Sequence, residues 1–293
     1  MRNLTIILSV LAIIMGGCTK EELGNNDAQN IITFNIAHPG DTKATDNAFE
    51  SGDAIGVYIT EYNNGNPSPL QISGNYATNI KSTYNGSQWV NSPTIYWKDG
   101  SFDVYAYYPY ATPTTVDEYP FSVSLDQSTE ETESQMSGYE ASDFLWAKTA
   151  SVSKMDAVPL TFKHKMSKLT INVLKGENFA GEIPSNLVVK VHSTITDAQI
   201  DLSTGTVTKN KYSSAKSITA KKISNNVFTA IVVPQRVDSK IPLIEIISNN
   251  VSYLIESKFI FRSGISHSIN VTLDNNPDKV RIEIGGETID GWE

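Results

Sequence analysis

Cysteine is nearly absent from this sequence, since Cys18 is the only one in 293 residues. A single cysteine cannot form an intrachain disulfide, and we expect no thiol catalysis from it. The folded core must therefore be held together by the burial of apolar side chains. Beyond the N-terminal segment no stretch approaches about 18 uninterrupted apolar residues, so the sequence predicts no transmembrane helix.

Sequence signatures of the common catalytic and metal sites are also missing. No G-x-S-x-G elbow, phosphate-binding loop or dinucleotide fingerprint is present. We therefore predict that the protein is not an enzyme and holds no metal or cofactor. A hydrolase with two carboxylates stays open, because its acids need only meet in space. The four histidines lack metal-ligand spacing with each other, with cysteine or with an acid: His38, His164, His192 and His267.

Basic residues are outnumbered by acidic ones, 23 to 32, which gives a formal net charge of -9. No basic stripe is visible, and an acidic chain of this kind binds poorly to the phosphate backbone of nucleic acids. We therefore predict no nucleic-acid partner and no electrostatic binding to an anionic surface.

The N-terminus has the composition of a secretory leader. Arg2 is followed by an apolar run over residues 4–15 and then by Met15-Gly16-Gly17-Cys18. A positive residue, a short apolar stretch and small residues before a cleavage point indicate a signal peptide over residues 1–17. The junction resembles a bacterial lipobox, which implies that Cys18 becomes the acylated first residue of the mature chain. The alternative is an ordinary buried cysteine.

The segment after the lipobox is polar and has no periodicity. Residues 18–30 therefore read as a lipidated tether between the membrane and the fold. Within it, Thr19-Lys20-Glu21-Glu22 resembles the surface-export signal of some Gram-negative lipoproteins. These features predict a surface-exposed protein of the cell outer membrane, held there by the lipid on Cys18.

From Ile31 onward the dominant hydrophobic period is two, the period of a half-buried strand. Turn-forming pairs such as Asn85-Gly86 and Asp99-Gly100 recur, and long runs of helical period are absent. Strands at intervals of about ten residues predict an all-β protein made of two β-sandwich domains in tandem. We place the N-terminal domain over residues 31–156 and the C-terminal domain over residues 157–293.

The second half opens with an interrupted strand pattern. His164 lies in phase with Phe162 and Met166, so we expect a core histidine with a hydrogen-bond partner rather than a metal ligand. Between Met166 and Leu169 the apolar phase slips by one residue. We expect a β-bulge to absorb this slip.

An aromatic-rich stretch over residues 89–110 has two interpretations. Its rings could stack on sugars, which would make the protein a monomeric surface lipoprotein that binds glycans. Strands also favour aromatic residues for packing alone, and we prefer this second interpretation. The residues are Trp89, Tyr96, Trp97, Tyr105, Tyr107, Tyr108 and Tyr110.

The N-terminal end of the predicted fold carries a comb of three apolar residues with period two, Ile32, Phe34 and Ile36. A polar loop follows it, and the bond between Lys43 and Ala44 is a candidate site for a trypsin-like protease. A cut there would allow the comb to leave its groove and would expose a sheet edge. We expect residues 31–37 to form a strand central to the N-terminal sandwich.

The C-terminal end carries a matching comb within residues 279–293. It consists of three alternating apolar residues and two further apolar positions: Val280, Ile282, Ile284, Ile289 and Trp292. The comb of one copy could fill the vacated groove of another by strand addition. The alternative is that the two ends simply carry two ordinary strands.

Several segments, in order along the chain, resemble the fimbrillin family, the lipoprotein precursors of type V pili in Gram-negative anaerobes. The resemblance covers nearly all of the predicted mature chain. The segments are residues 49–58 (FESGDAIGVY), 104–109 (VYAYYP), 142–147 (SDFLWA), 160–169 (LTFKHKMSKL), 233–235 (VPQ) and 289–292 (IDGW).

This resemblance implies transthyretin-like β-sandwich domains and a structural or adhesive role in a pilus. In such precursors a trypsin-like protease removes an N-terminal strand, usually after arginine, and each subunit accepts a donor strand from a neighbour. The matching position in this chain is Lys43. The implied partners are other pilus subunits, the processing protease, the outer membrane, and ligands on host or bacterial surfaces. The implied final location is the fimbrium.

Lipidation gives the first testable prediction. Replacing Cys18 with Ala should abolish labelling of the protein by a fatty-acid analogue in cells, because the thiol that would carry the lipid is gone. Labelling that persists in this variant would show that the lipid is elsewhere and that the lipobox assignment is wrong.

Overall fold

The computed structural model describes residues 30–39, 48–132 and 134–289. Within these ranges the chain is nearly all β, with short 3-10 turns at Glu140–Ser142 and Pro277–Lys279 and no α-helix. The predicted all-β fold class is therefore confirmed. None of the described segments is a helix of the length and hydrophobicity needed to cross a membrane. The predicted signal peptide and most of the tether lie outside the described residues.

The first part of the chain forms ten strands, which are β1 (Phe34–Ala37), β2 (Ala54–Asn63), β3 (Asn66–Pro67), β4 (Ala77–Tyr84), β5 (Trp89–Ser92), β6 (Phe102–Tyr108), β7 (Tyr119–Ser122), β8 (Leu145–Val152), β9 (Val158–Thr161) and β10 (Lys163–His164). Six of them form a sheet in the order β10-β8-β6-β2-β4-β5, and β3 pairs with β2 at its side. β6 lies in the middle and is buried along its whole length, so its sequence shows little polar alternation.

The second part forms thirteen strands, which are β11 (Ser167–Lys175), β12 (Val188–Thr194), β13 (Asp197–Asp201), β14 (Thr206–Lys209), β15 (Lys216–Thr219), β16 (Lys221–Ser224), β17 (Val227–Val232), β18 (Gln235–Val237), β19 (Pro242–Ser248), β20 (Val251–Glu256), β21 (Phe259–Phe261), β22 (Ile265–Leu273) and β23 (Arg281–Ile289). A five-stranded sheet, β16-β17-β11-β22-β23, and a four-stranded sheet, β15-β12-β19-β20, share one apolar core. Alternating residues such as Leu169, Ile171 and Val173 are fully buried in that core.

Strands from the two parts of the chain also pair with each other. β7 pairs antiparallel with β13, and the side chain of Gln127 is fully buried against β17. Gln127 Nε2 donates to the carbonyl of Ile231 and its Oε1 accepts from the amide of Ile231, both at 2.8 Å. The side chain of Gln127 therefore satisfies the backbone N–H and C=O of Ile231, where no neighbouring strand does so. The division after residue 156 remains a prediction.

The phase slip between Met166 and Leu169 is not a β-bulge, so this prediction is wrong. β10 ends at His164 and pairs with β8 of the first sheet, whereas β11 begins at Ser167 and pairs with β17 and β22 of the second core. The chain changes sheet at this point, and the buried face changes with it. His164 is buried and contacts Asp143, with Nδ1 2.9 Å from Oδ2, so the predicted partner is present.

Trp146 fastens the first sheet to a hairpin of the second part. Its ring Nε1 donates to the carbonyl of Leu202 at 2.8 Å, and its ring packs over Gly205. A Cβ on Gly205 would lie 2.5 Å from the Trp146 ring, and the backbone φ of +66° also favours glycine. Both the turn and the contact therefore require glycine at this position.

This contact gives a prediction with a matched control. Gly205→Ala should destabilise the protein by about 1–3 kcal/mol more than Gly181→Ala, because an extra atom is forced against the Trp146 ring. Gly181 has a similar φ of +75° with no atom within 4 Å of an added Cβ, so its variant measures the backbone strain alone. Urea unfolding compares the two variants. Equal destabilisation would show that Trp146 does not hold this hairpin.

Candidate functional site

β1 lies in a slot between two segments that are far apart in the sequence. On one side it pairs parallel with β9, with Phe34 opposite Val158 and Ala37 opposite Thr161. On the other side, residues 30–32, which directly precede β1, meet residues 95–97 in an antiparallel bridge. There the amide of Ile32 donates to Ile95 at 2.8 Å and the amide of Trp97 donates to Asn30 at 2.7 Å. We call this space, together with its two walls, the β1 slot.

The apolar comb of β1 points into the first core. Ile32 is 1% exposed and Phe34 is 8% exposed, while Ile36 is half-buried and packs on the same cluster. The alternate residues Thr33 and Asn35 are exposed. The alternation of buried and exposed residues is therefore as predicted, but the strand is shorter than the predicted 31–37. It spans Phe34–Ala37 in a two-stranded sheet with β9, outside the seven-stranded sheet, so the predicted central position in the sandwich is wrong.

Polar side chains fasten the N-terminal end of the slot. Asn91 Nδ2 donates to the carbonyl of Ile32 at 2.9 Å, and Thr33 Oγ1 donates to the carbonyl of Asp156 at 2.7 Å. Lys154 Nζ lies 3.2 Å from the side-chain oxygen of Asn30. β1 is therefore held by hydrogen bonds and apolar packing, which are reversible contacts.

At the C-terminal end of β1 the chain enters a cavity of about 210 Å³. His38 lines it and makes edge-to-face ring contacts with Phe49 at 4.9 Å and His164 at 5.9 Å. Most of the other polar residues in the lining are acids: Glu50, Asp53, Glu130, Glu131, Glu140 and Asp143. We call this cavity the carboxylate pocket.

The centre of the carboxylate pocket is a buried tyrosine between two carboxyl groups. The Tyr108 hydroxyl lies 2.8 Å from Glu140 Oε1 and 3.0 Å from Asp53 Oδ1. Burial away from water raises the pKa of both Glu140 and Asp53 above the ordinary values, and it also raises the pKa of Tyr108. A phenol has one proton to donate, so it satisfies only one of the two carboxylates fully.

The C-terminal comb lies at the edge of the second core. β23 pairs antiparallel with β22 and has no neighbour on its other side among the described residues. Val280 and Ile282 are partly buried against the core, but Ile284 is 60% exposed. Ile289, the last residue of β23, stands opposite Ile265. The comb is thus an edge strand of its own sheet, and only part of its apolar surface is covered.

Four of the predicted site residues lie outside the described residues: Cys18, Lys43, Ala44 and Trp292. The structure therefore brings together the displaced strand, its slot and the carboxylate pocket, and it places the candidate donor strand on a different sheet. The pocket is the part that sequence reasoning missed. Its members come from five separate stretches of the chain, and the one local signal was the acidic composition of residues 126–143.

The aromatic stretch is mainly part of the fold. Trp97, Tyr105, Tyr107 and Tyr108 are buried, Trp89 and Tyr110 are half-buried, and Tyr96 is 50% exposed. Stacking on a sugar needs an accessible ring face, so the buried members are not available to a glycan. Within the part of the chain that the structure describes, no group of three or more histidine, cysteine or acidic side chains is arranged to hold a metal ion.

Comparison with known proteins gives consistent results. A family model described as fimbrillin-like matches residues 42–292. A curated protein of Bacteroides uniformis, assigned as fimbrium subunit Fim1C, is 27% identical over 225 residues, which is 70% of each chain.

Solved structures support the fold. A crystal structure from Bacteroides uniformis, assigned to cell adhesion, has a TM-score of 0.66 at 20% identity and covers 90% of this chain and 98% of its own. A second, from Bacteroides ovatus and with the same assignment, has a TM-score of 0.66 at 23% identity and covers 88% and 95%. At these identities the two structures show the fold alone.

The carboxylate pocket gives a prediction on stability. A carboxyl group whose pKa is raised on folding contributes stability below its unfolded pKa, and this contribution is lost as the pH rises through the folded pKa. Glu140→Gln keeps an oxygen that accepts from Tyr108 but removes the titrating group. The variant should therefore gain melting temperature relative to the wild type at pH 7, and gain less at pH 4. Exposed Glu256 supplies the control, as Glu256→Gln. A gain that is larger at pH 4 than at pH 7 would contradict the assigned direction.

Proposed function

This chain belongs to the fimbrillin-like family, and from that premise we propose that it is a structural or adhesive subunit of a type V pilus. In this proposal it is exported as a lipoprotein through Cys18 to the outer membrane and faces the cell exterior. A trypsin-like protease cuts after Lys43, and donor-strand exchange then joins it to other subunits in the fimbrium. The protein catalyses no reaction, in keeping with a family of structural proteins.

The observation that carries the proposal is the β1 slot. β1 contributes apolar side chains to the first core, yet it is held only by reversible contacts, and Lys43 follows it by six residues in the sequence. Its loss would leave backbone groups of β9 and residues 95–97 without partners, together with an apolar groove. Such an edge is a template for the addition of another strand.

β23 has the features of a replacement strand. As an edge strand it has one hydrogen-bonded neighbour, β22. In the β1 slot it would pair with β9 and, at the N-terminal end of the slot, also with residues 95–97. Burying three large apolar side chains from full exposure would contribute roughly 5–9 kcal/mol, and the net gain is smaller because Val280 and Ile282 are already partly buried in their own sheet. Part of this is offset by the cost of ordering and associating two chains. The exchange is favoured because the exposed Ile284 would gain a buried site.

The pilus proposal predicts that processing triggers polymerisation. Limited trypsin should cut the full-length protein after Lys43, because the polar sequence around it predicts a loop, and loops are preferred sites of proteolysis. Once the released N-terminal peptide is removed, the protein should form a ladder of oligomers on gels run without boiling. A protein truncated before Lys279 should be cut in the same way but remain monomeric, because it lacks the donor comb.

Point substitutions distinguish the contribution of the apolar comb side chains from that of the strand backbone. Replacing Val280, Ile282 and Ile284 with Ser should act like the truncation, because the strand could no longer fill the apolar slot. The matched control replaces the alternate residues and keeps their charges, as Arg281→Lys with Glu283→Asp, and should still polymerise. Polymerisation of the truncated protein at the wild-type level would exclude the C-terminal comb as donor.

A further inference from the structure

We propose that the donor strand enters the β1 slot antiparallel to the strand that it replaces, with its residues 279–281 at the end that holds the carboxylate pocket. This inference rests on the proposed function, because it specifies how a second copy of this chain occupies the slot. Two independent features of the molecule support it. One is the charge at the ends of the slot and of the donor, and the other is the direction of the slot walls.

The C-terminal end of the slot is strongly acidic. Glu50, Asp53 and Glu140 line the carboxylate pocket there, and none of the three forms an ion pair with a lysine or arginine of the described residues. Lys221 also lines the pocket, where its Nζ lies 5.1 Å from the centre of the Tyr139 ring. One lysine leaves most of this negative charge uncompensated.

Nearby basic residues do not reverse this charge. Lys163 in β10 and Lys165 directly after it flank His164, and alternation along an extended chain turns them to the face opposite His164. Lys165 Nζ accordingly lies over the Trp146 ring, 5.1 Å from its centre. The other end of the slot carries Lys154 and Asp156, whose charges are opposite. The slot therefore has one acidic end and one nearly neutral end.

The donor segment has the complementary asymmetry. Residues 278–281 contain Asp278, Lys279 and Arg281, with a net charge of +1, whereas residues 286–293 contain Glu287, Asp290 and Glu293, with a net charge of -3. With the combs aligned, antiparallel entry brings residues 278–281 to the carboxylate pocket. Parallel entry brings Gly286 and the acidic residues after it. The positive charge of residues 278–281 is attracted to the acidic pocket, whereas the negative charge of residues 286–293 is repelled by it. Antiparallel entry is therefore favoured.

The backbone of the slot walls favours the same polarity. β1 runs parallel to β9 over four residues, and Ile31, just before β1, forms a single antiparallel bridge with Tyr96. A strand that enters in the reverse direction would pair antiparallel with β9, along the longer ladder, and parallel with residues 95–97. Antiparallel pairing is slightly more stable per residue than parallel pairing. The reversal therefore carries no backbone penalty along the longer wall.

Cross-linking between subunits tests the polarity directly. Thr161 is an exposed residue of β9 that stands opposite Ala37 of β1, so Thr161→Cys reports on the strand that occupies this end of the slot. It is combined with Lys279→Cys or with Glu287→Cys in the full chain carrying Cys18→Ala. A short bis-maleimide is added after trypsin has triggered polymerisation. Lys279→Cys removes a positive charge that would attract the acidic pocket, and Glu287→Cys removes a negative charge that the pocket would repel. Both changes therefore work against the proposed polarity, so the test is conservative.

We expect the Lys279 pair to cross-link at least severalfold more efficiently than the Glu287 pair. Removing the pocket charge with Asp53→Asn and Glu140→Gln, or raising the salt concentration, should lower this ratio. A Glu287 cross-link that equals or exceeds the Lys279 cross-link overturns the polarity and leaves donor-strand exchange standing. Polymers that give neither cross-link overturn it too. Absence of polymers from the Cys18→Ala parent instead contradicts the proposed function, and the polarity fails with it.

Discussion

The parallel pairing of β1 with β9 is the contact on which the rest of this structure depends. Among the described residues β9 forms a backbone ladder with no other strand, and the chain continues through β10 into β11, a central strand of the second core. β1 therefore completes the first core and also supports the connection to the second. A chain without β1 needs another strand in that place, because the alternative is an unpaired sheet edge beside an apolar groove.

The contacts that join the two cores lie outside the slot. β7 pairs with β13, Gln127 bonds the backbone of Ile231, and Trp146 packs over the hairpin at Gly205. None of them uses a side chain of β1. The separation matters for strand replacement, because a slot that is emptied and refilled needs walls held by contacts other than those to the departing strand. If β1 leaves as proposed, these contacts between the cores do not have to be broken.

The sequence predicts most of the strands because the period of two is a local property. It does not reveal which strands are neighbours, since the pairings of β1 with β9 and of β7 with β13 join residues that are far apart in the chain. The slip near Met166 shows the limit well: the pattern alone does not distinguish a bulge from a strand that changes sheet. Ile284 fits the buried phase but is exposed, because an edge strand has a neighbour on one side only. The carboxylate pocket escaped prediction because Asp53, Tyr108 and Glu140 meet only in the folded chain.

The central claim is that the first strand of this fold is a temporary occupant of its slot. The most direct test is the N-terminal mass and sequence of subunits taken from assembled fibres and of the cell-bound form. The account predicts that assembled subunits begin at Ala44 and lack Ile32, Phe34 and Ile36, while an unprocessed form begins at lipidated Cys18. Fibres built from subunits that begin at Cys18 and retain the first comb would contradict it.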